Sequence, residues 1–255
     1  MSKPRTYQTE AITIRKTKLG EADTILTLYT PHLGKIQSFA RSLRKPRSKL
    51  AGHLELLTHS QVSLARGRNI DTVTGAQTIS SFLPVKGDLE LISRALYTAE
   101  LVDQFAADHI ENPPLFRLLL ETLHNLCQGG DSELALRYFE MHLLGEVGYR
   151  PELQMCVSCH SPLKSNAGFF CPGAGGMLCP DCRHCQSVSL PLSADARKVL
   201  RFLQDSDYSN ACRLRLPPDV SRELERVVRN YISYLLEREV KSVAWLDTLR
   251  GQAAD

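Results

Sequence analysis

Two hydrophobic periods share this chain, and the switch between them near Pro84 limits what it can fold into. Before the switch, Ala11–Arg15, Thr24–Thr30, Lys35–Ala40, Leu57–Leu64 and Asp71–Thr74 are rich in β-branched residues and alternate with a period of two. That is the pattern of half-buried strands. Gly20, Pro31 with Gly34, and Arg66-Gly67-Arg68-Asn69 punctuate the runs as turns. Five short strands in about 75 residues suit a small closed barrel, because closure removes exposed edges. An oligonucleotide-binding (OB) type barrel is the leading expectation, and an SH3-like barrel is its rival on strand count alone.

After Pro84 the spacing becomes helical. Leu89, Ile92, Leu96, Ala99, Val102 and Phe105 recur at three and four residues, and Leu115–Leu126 is an almost wholly apolar helix expected at the centre. Asp131 is placed to cap a third helix through Leu134, Tyr138, Met141 and Leu144. Two more helices follow, near Ser193–Leu203 and along Val220, Leu224, Val227, Tyr231 and Leu235. The fold class expected is α+β. It comprises a five-stranded barrel domain at 1–81, a helical domain at 82–151 and 191–255, and a Gly-, Pro- and Cys-rich insertion at 152–190.

Charge separates the same halves. Residues 1–81 hold 13 Lys and Arg against five Asp and Glu, whereas the other 174 residues hold 18 and 23. A basic module attached to a near-neutral or acidic body is suited to a polyanion. Arg41, Arg44, Lys45, Arg47 and Lys49 put five cations into nine residues after the third strand. Phosphates attract such a cluster, and each contact releases counterions. Arg66 and Arg68 on a hairpin turn, with Arg15, Lys16 and Lys35, are the further candidate phosphate contacts. Tyr7, Tyr29 and Phe39 could stack bases or fill the core. So few aromatics favour tracking of the backbone over base readout. A nuclear localisation signal could resemble the basic run. No apolar stretch is long enough to span a membrane and the first residues form no apolar signal core, so a cytoplasmic protein is expected.

Six of the eight cysteines fall between Cys156 and Cys185. Cys156-Val-Ser-Cys159 and Cys179-Pro-Asp-Cys182 are two CxxC pairs separated by 19 residues. Each knuckle presents two thiolates to one tetrahedral ion, so one structural zinc on Cys156, Cys159, Cys179 and Cys182 is expected. A set using Cys171 or Cys185 stays open, and Cys127 and Cys212 are expected as small buried hydrophobes. His53 and His59 are expected to be structural. There is no phosphate-binding glycine loop, no Gly-x-Ser-x-Gly and no His-Glu-x-x-His, which favours binding over catalysis. A zinc-ribbon RNA-binding or transcription accessory protein is the competing class.

Several stretches resemble one known family, the bacterial recombination mediator RecO. They are Leu19–Leu26, Thr30–Ile36, Arg44–Leu50, Leu64–Arg68, Gly173–Cys182 and Glu237–Ser242, in order along the whole chain. The chain departs from the family pattern at Arg41-Ser42-Leu43, where a Gly-containing turn is usual, and in its extra Cys171 and Cys185. The resemblance implies an OB fold, a helical domain and a zinc element. It also implies a role in the RecF pathway of DNA repair: binding single- and double-stranded DNA and annealing strands coated by single-strand-binding protein. With RecR it implies help in loading RecA, so RecA is an indirect partner. The tail of single-strand-binding protein would dock on the helical body, and the protein would be nucleoid-associated.

Overall fold

The computed structural model describes residues 5–163, 167–185, 188–237, 240–243 and 246. These group into two compact units, one reaching Gln128 and including Ser242, Val243 and Leu246, the other running from Gly129 to Lys241. Element type and packing thus divide the chain differently, because the first helices pack with the barrel.

The first unit opens with five strands: β1 (Thr6–Leu19), β2 (Asp23–Thr30), β3 (Gly34–Ala40), β4 (His59–Ala65) and β5 (Asp71–Ser80). They close in the order β1-β2-β3-β5-β4, with β4 returning to β1. All pairs are antiparallel except β3 with β5. This is the OB-type barrel. β1 serves both ends of the closure, pairing with β4 through residues 6–12 and with β2 from Ile12 onward. A register shift between Thr13 and Arg15 lets one strand bend enough to do so.

Inside lie Leu26, Leu28, Ile36, Val62, Leu64 and Val73. The half-buried expectation fails at Ala11–Ile14 and Leu26–Thr30, where every residue is buried. The reason is a second layer. After a single helical turn, α1 (Leu83–Lys86), come α2 (Leu89–Phe105) and α3 (Pro113–Cys127). α2 packs on β1 and α3 on β2, with Phe116 against Tyr29 at 6.2 Å between ring centroids. α3 is not wholly buried: Arg117, Glu121 and His124 face solvent. On α2, Leu89 is exposed, while Tyr97, Thr98 and Leu101 fill the buried face. His53 and His59 are satisfied structurally, the first by Thr78 Oγ1 at 2.8 Å and the second by Glu10 Oε2 at 3.3 Å.

Gly34 makes the second layer fit. Its φ is +63°, and a Cβ there would lie 2.0 Å from the Ile110 carbonyl oxygen. The bare backbone lets the 108–110 segment run along β3, where the His109 N–H donates to the Lys35 carbonyl at 3.0 Å.

The second unit centres on α4 (Ser132–Glu146), whose cap is Asp131, accepting the Leu134 N–H at 3.0 Å. Residues Leu134 to Met141 of α4 are all buried, so this helix rather than 115–126 is the fully enclosed one. A small sheet follows, ordered β7 (Gly176–Leu178), β6 (Gly168–Cys171), β8 (Leu190–Leu192). Then come α5 (Ala194–Asp205), α6 (Tyr208–Ala211) and α7 (Pro218–Leu236). α7 buries Val220, Leu224, Val227 and Tyr231 as its spacing requires. None of the described helices is long and apolar enough to cross a membrane.

Enclosing α4 puts Arg137 and Glu140 in the core at 1% and 0% exposure, with Arg137 Nη2 2.9 Å from Glu140 Oε1. Removing one partner of such a pair costs about 3–5 kcal/mol, whereas replacing both by apolar groups costs little. Glu140→Leu is therefore expected to lower the denaturation free energy by about that amount, and Arg137→Met with Glu140→Leu by clearly less. Denaturant titration of both variants checks this, and equal losses would contradict it.

Candidate nucleic-acid interface and metal centre

The basic loop 41–49 is exposed in its side chains and pinned in its backbone. Ser42 adopts φ +51°, the left-handed region for which glycine is favoured, and its N–H donates to Asp23 Oδ1 at 2.6 Å. This explains how the chain keeps the turn without the glycine. The Arg44 N–H donates to the Ala22 carbonyl at 3.0 Å, and its guanidinium reaches the Gly20 carbonyl. Leu43 and Leu54 enter the barrel core, and Leu50 packs against it. The loop is thus held at both ends by apolar anchors and at its start by the β1–β2 turn.

The ten candidate cations divide by what holds them. Arg15 pairs with Asp103 at 3.0 Å, and Lys16 with Glu55 at 3.4 Å. Lys35 is largely buried; it donates to the Asp103 carbonyl at 2.6 Å and pairs with Asp108 at 3.3 Å. These three join the barrel wall to its surroundings. Arg41 lies over the Phe39 ring at 6.0 Å, and Arg66 over the Tyr7 ring at 4.7 Å. Lys45, Arg47, Lys49 and Arg68 are exposed and have no side-chain partner among the described residues. Of the three aromatics, Tyr29 is core, Phe39 half-buried and Tyr7 half-buried.

Sequence reasoning missed two acidic residues that organise this surface. Asp103 receives both Arg15 and Lys35. Asp71 accepts the Tyr7 hydroxyl at 2.6 Å on one oxygen and the Gly67 N–H at 2.9 Å on the other. Gly67 is required there because a Cβ would lie 1.9 Å from the Ile70 carbonyl oxygen. The Arg-Gly-Arg turn signalled the hairpin; nothing local signalled its carboxylate.

In the second unit, main-chain bonds bring the two cysteine knuckles together. The first folds back through His160 N–H to the Cys156 carbonyl at 2.9 Å. The second follows β7 into a 3-10 segment, Pro180–Cys185, with Cys182 N–H to the Cys179 carbonyl at 3.1 Å. Val157 N–H to the Met177 carbonyl at 2.9 Å joins them. The sulfur atoms of Cys156, Cys159, Cys179 and Cys182 all lie within 4.8 Å of one another. Cys159 and Cys179 are 3.9 Å apart. A tetrahedron with metal–sulfur bonds of about 2.3 Å has edges of about 3.8 Å, so the four thiols fit a metal ion. The Cys179 N–H points at Cys156 Sγ at 3.4 Å, an orienting contact of the kind that supports ligating sulfur.

The proton chemistry agrees. Burial raises the Cys156 thiol, but N–H donors from Cys159, Cys179 and Ser158 outweigh it and bring the thiol to about 6. Hydrogen bonding to Cys179, then Cys159, pushes Cys182 up to about 12. Metal ligation requires thiolates, so a bound cation would displace the Cys182 proton. Cys171 is buried in β6 and packs beside Cys156 and Leu178, outside the four-sulfur group. The Cys185 side chain lies outside the described residues, as do Arg238 and Glu239. Cys127 is only half-buried, and Cys212 is exposed, donating to the Ser209 carbonyl at 3.3 Å, so the expectation of burial fails for it.

Comparison with known proteins agrees with this architecture. The model of the Recombination protein O N-terminal domain matches residues 1–82, and that of the C-terminal domain matches residues 86–244. DNA repair protein RecO of Dehalococcoides mccartyi strain CBDB1 is 49% identical over 250 residues, covering 98% of each chain. That of Roseiflexus sp. strain RS-1 is 43% identical over 96% of this chain and 87% of its own. That of Symbiobacterium thermophilum is 36% identical over 96% and 98%. Two family models in tandem and relatives of this coverage show that the chain belongs to the RecO family of DNA repair and recombination proteins.

Proposed function

We propose that this protein binds single- and double-stranded DNA through its barrel and anneals complementary strands coated by single-strand-binding protein. In this reading it acts in RecF-pathway repair without catalysing bond chemistry, and helps RecA load together with RecR. The observation that carries the reading is the loop 41–49: its backbone is anchored, and Lys45, Arg47 and Lys49 are exposed without partners among the described residues. Cations presented from a fixed backbone meet phosphates without further ordering of the chain. Arg41, Arg44, Arg66 and Arg68 would add contacts, while Arg15, Lys16 and Lys35 would contribute mainly through their ion pairs to the wall. Two strands held at one cationic surface repel less and have a raised effective concentration, and their base edges stay open for pairing.

The division of labour follows. Residues 1–81 would carry DNA, the helices at 82–151 and 191–255 would dock the tail of single-strand-binding protein, and 152–190 would hold zinc. With four thiolates the ion's coordination is closed, so its role is structural, fixing the two knuckles. A cytoplasmic, nucleoid-associated location suits this work.

Three outcomes are expected. Annealing of precoated strands without ATP is accelerated and fades as salt rises; no response with coated or naked DNA would remove the reading and send the test to RNA. Changing Lys45, Arg47 and Lys49 together to Ala lowers the slope of log affinity against log salt by about 2, at about 0.7 per phosphate contact on a single strand. Fluorescence anisotropy over a salt series measures it, and an unaltered slope counts against the loop. Cys156→Ser with Cys179→Ser loses the zinc found in the parent by atomic absorption and lowers the thermal midpoint. Full zinc occupancy in that variant would remove the ligand assignment.

A further inference from the structure

Beside the cationic turn, the barrel wall is hollowed on both sides of one stacked pair. A cavity of about 550 Å³ is lined by Tyr7, Arg66, Gln37, Asn69, Asp71 and His109, among others. A second, of about 670 Å³, shares Tyr7, Arg66, His32 and Leu33 with it and extends to Arg117 on α3. Both volumes fall in the roughly 300–1,000 Å³ span of small-ligand sites. The shared wall is the Tyr7 ring with the Arg66 guanidinium 4.7 Å from its centroid.

The lining favours a planar, weakly polar group attached to an anion. Asp71 has both oxygens engaged, by the Tyr7 hydroxyl and the Gly67 N–H. Asp108 is paired with Lys35. Lys35 thus offsets the Asp108 charge, while Asp71 keeps its own, so the cavity suits an uncharged base and leaves the phosphate to the cations outside it. Burial, and then Asp71, raise the Tyr7 phenol above its ordinary range, so the ring stays neutral. Gln37 and Asn69 supply amide donors and acceptors that match base edges. The first cavity also adjoins the barrel closure: Phe39, beneath Arg41, pairs with Thr72 next to Asp71.

We infer that this cavity takes one unpaired nucleobase of a DNA strand, stacked on the Tyr7–Arg66 pair, with the strand's phosphates on the neighbouring cations. The inference rests on the DNA-binding reading above and adds to it a preference for single strands. A duplex keeps its bases stacked inward and has none to offer the cavity, whereas each stacked base of a single strand adds to affinity. The site would therefore hold a strand in a form ready to be paired.

The test is photocrosslinking of a dT oligonucleotide carrying one 5-iodouracil, with two comparison arms: the same strand in a duplex, and free iododeoxyuridine monophosphate. The crosslink is expected at Tyr7 with the single strand and at least fivefold weaker in the other two arms. Tyr7→Phe keeps the ring and should retain the ratio of single-strand to duplex affinity. Tyr7→Leu should lower that ratio roughly five- to tenfold, the size expected for one lost base stack. Equal loss in Phe and Leu variants would assign the effect to the Asp71 hydrogen bond and overturn stacking. Equal crosslinking of the free nucleotide would overturn the strand assignment. If DNA binds with a steep salt dependence but the crosslink maps elsewhere, this inference fails and the broader reading stands. If no DNA binds, both fail.

Discussion

Two parallel residue pairs, Ser38 with Asp71 and Phe39 with Thr72, close the barrel. Every other seam carries seven pairs. The short seam is enough because β1 and β4 already bring β5 round, and closure leaves no long edge to template other chains. Its position matters more than its length. Asp71 contributes main chain to the seam, one carboxylate oxygen to Gly67 of the hairpin that precedes it and the other to Tyr7 on β1. One residue therefore couples the topology to the orientation of Tyr7 and to the tight turn at Gly67. The cavity wall and the cationic turn follow from the way the barrel shuts.

The same layering explains which parts of the fold could be read from the chain. All five strands announce themselves by alternation, but their ends do not. Thr6–Thr9 extends β1 along β4 and Thr17–Leu19 extends it along β2, and β5 continues through Gly75 to Ser80. Alternation also misleads where a helix covers the outer face, since Thr27 and Tyr29 are then as buried as Leu26 and Leu28. The cap at Asp131 is legible because a cap is a contact over three residues. The burial of α4 is not legible because Arg137, Glu140 and His142 lie within its span, and charge in a sequence argues for solvent. The pairing of Arg137 with Glu140 offsets part of the cost of burial, and spacing alone does not say which face the pair occupies.

The four-thiol group shows the same division between local and distant information. The CxxC spacing narrows the choice to paired thiols because each knuckle is a turn of four residues. Excluding Cys171 needs β6, where its pairing with Gly176 turns it into the packing beside Cys156. The small sheet carrying it had no signature, being three strands of three or four residues among glycines and prolines. It is held from below by α7, with Phe170 edge-on to Tyr231 at 5.2 Å and the Tyr231 hydroxyl donating to the Tyr149 carbonyl at 3.0 Å. The knuckles thus rest on an apolar floor of their own, and a metal would lock two turns that the sheet has already aligned.

Formal charge overstates what the barrel offers a polyanion. Arg15, Lys16 and Lys35 are matched by Asp103, Glu55 and Asp108, so part of the excess in residues 1–81 is consumed in holding strands to helix and loop. What remains is concentrated on the loop 41–49 and the turn 66–69. At about 0.1 M salt the Debye length is about 10 Å, so only charges within that reach of a phosphate act on it together. Clustering within nine residues therefore counts for more than the net charge of the chain. The loop's apolar anchors, Leu43 and Leu54, set the density of that cluster by keeping its backbone from spreading into solvent. In this protein the hydrophobic core thus fixes the local concentration of cations, and in the proposed reading that concentration would decide how strongly a phosphate chain is held.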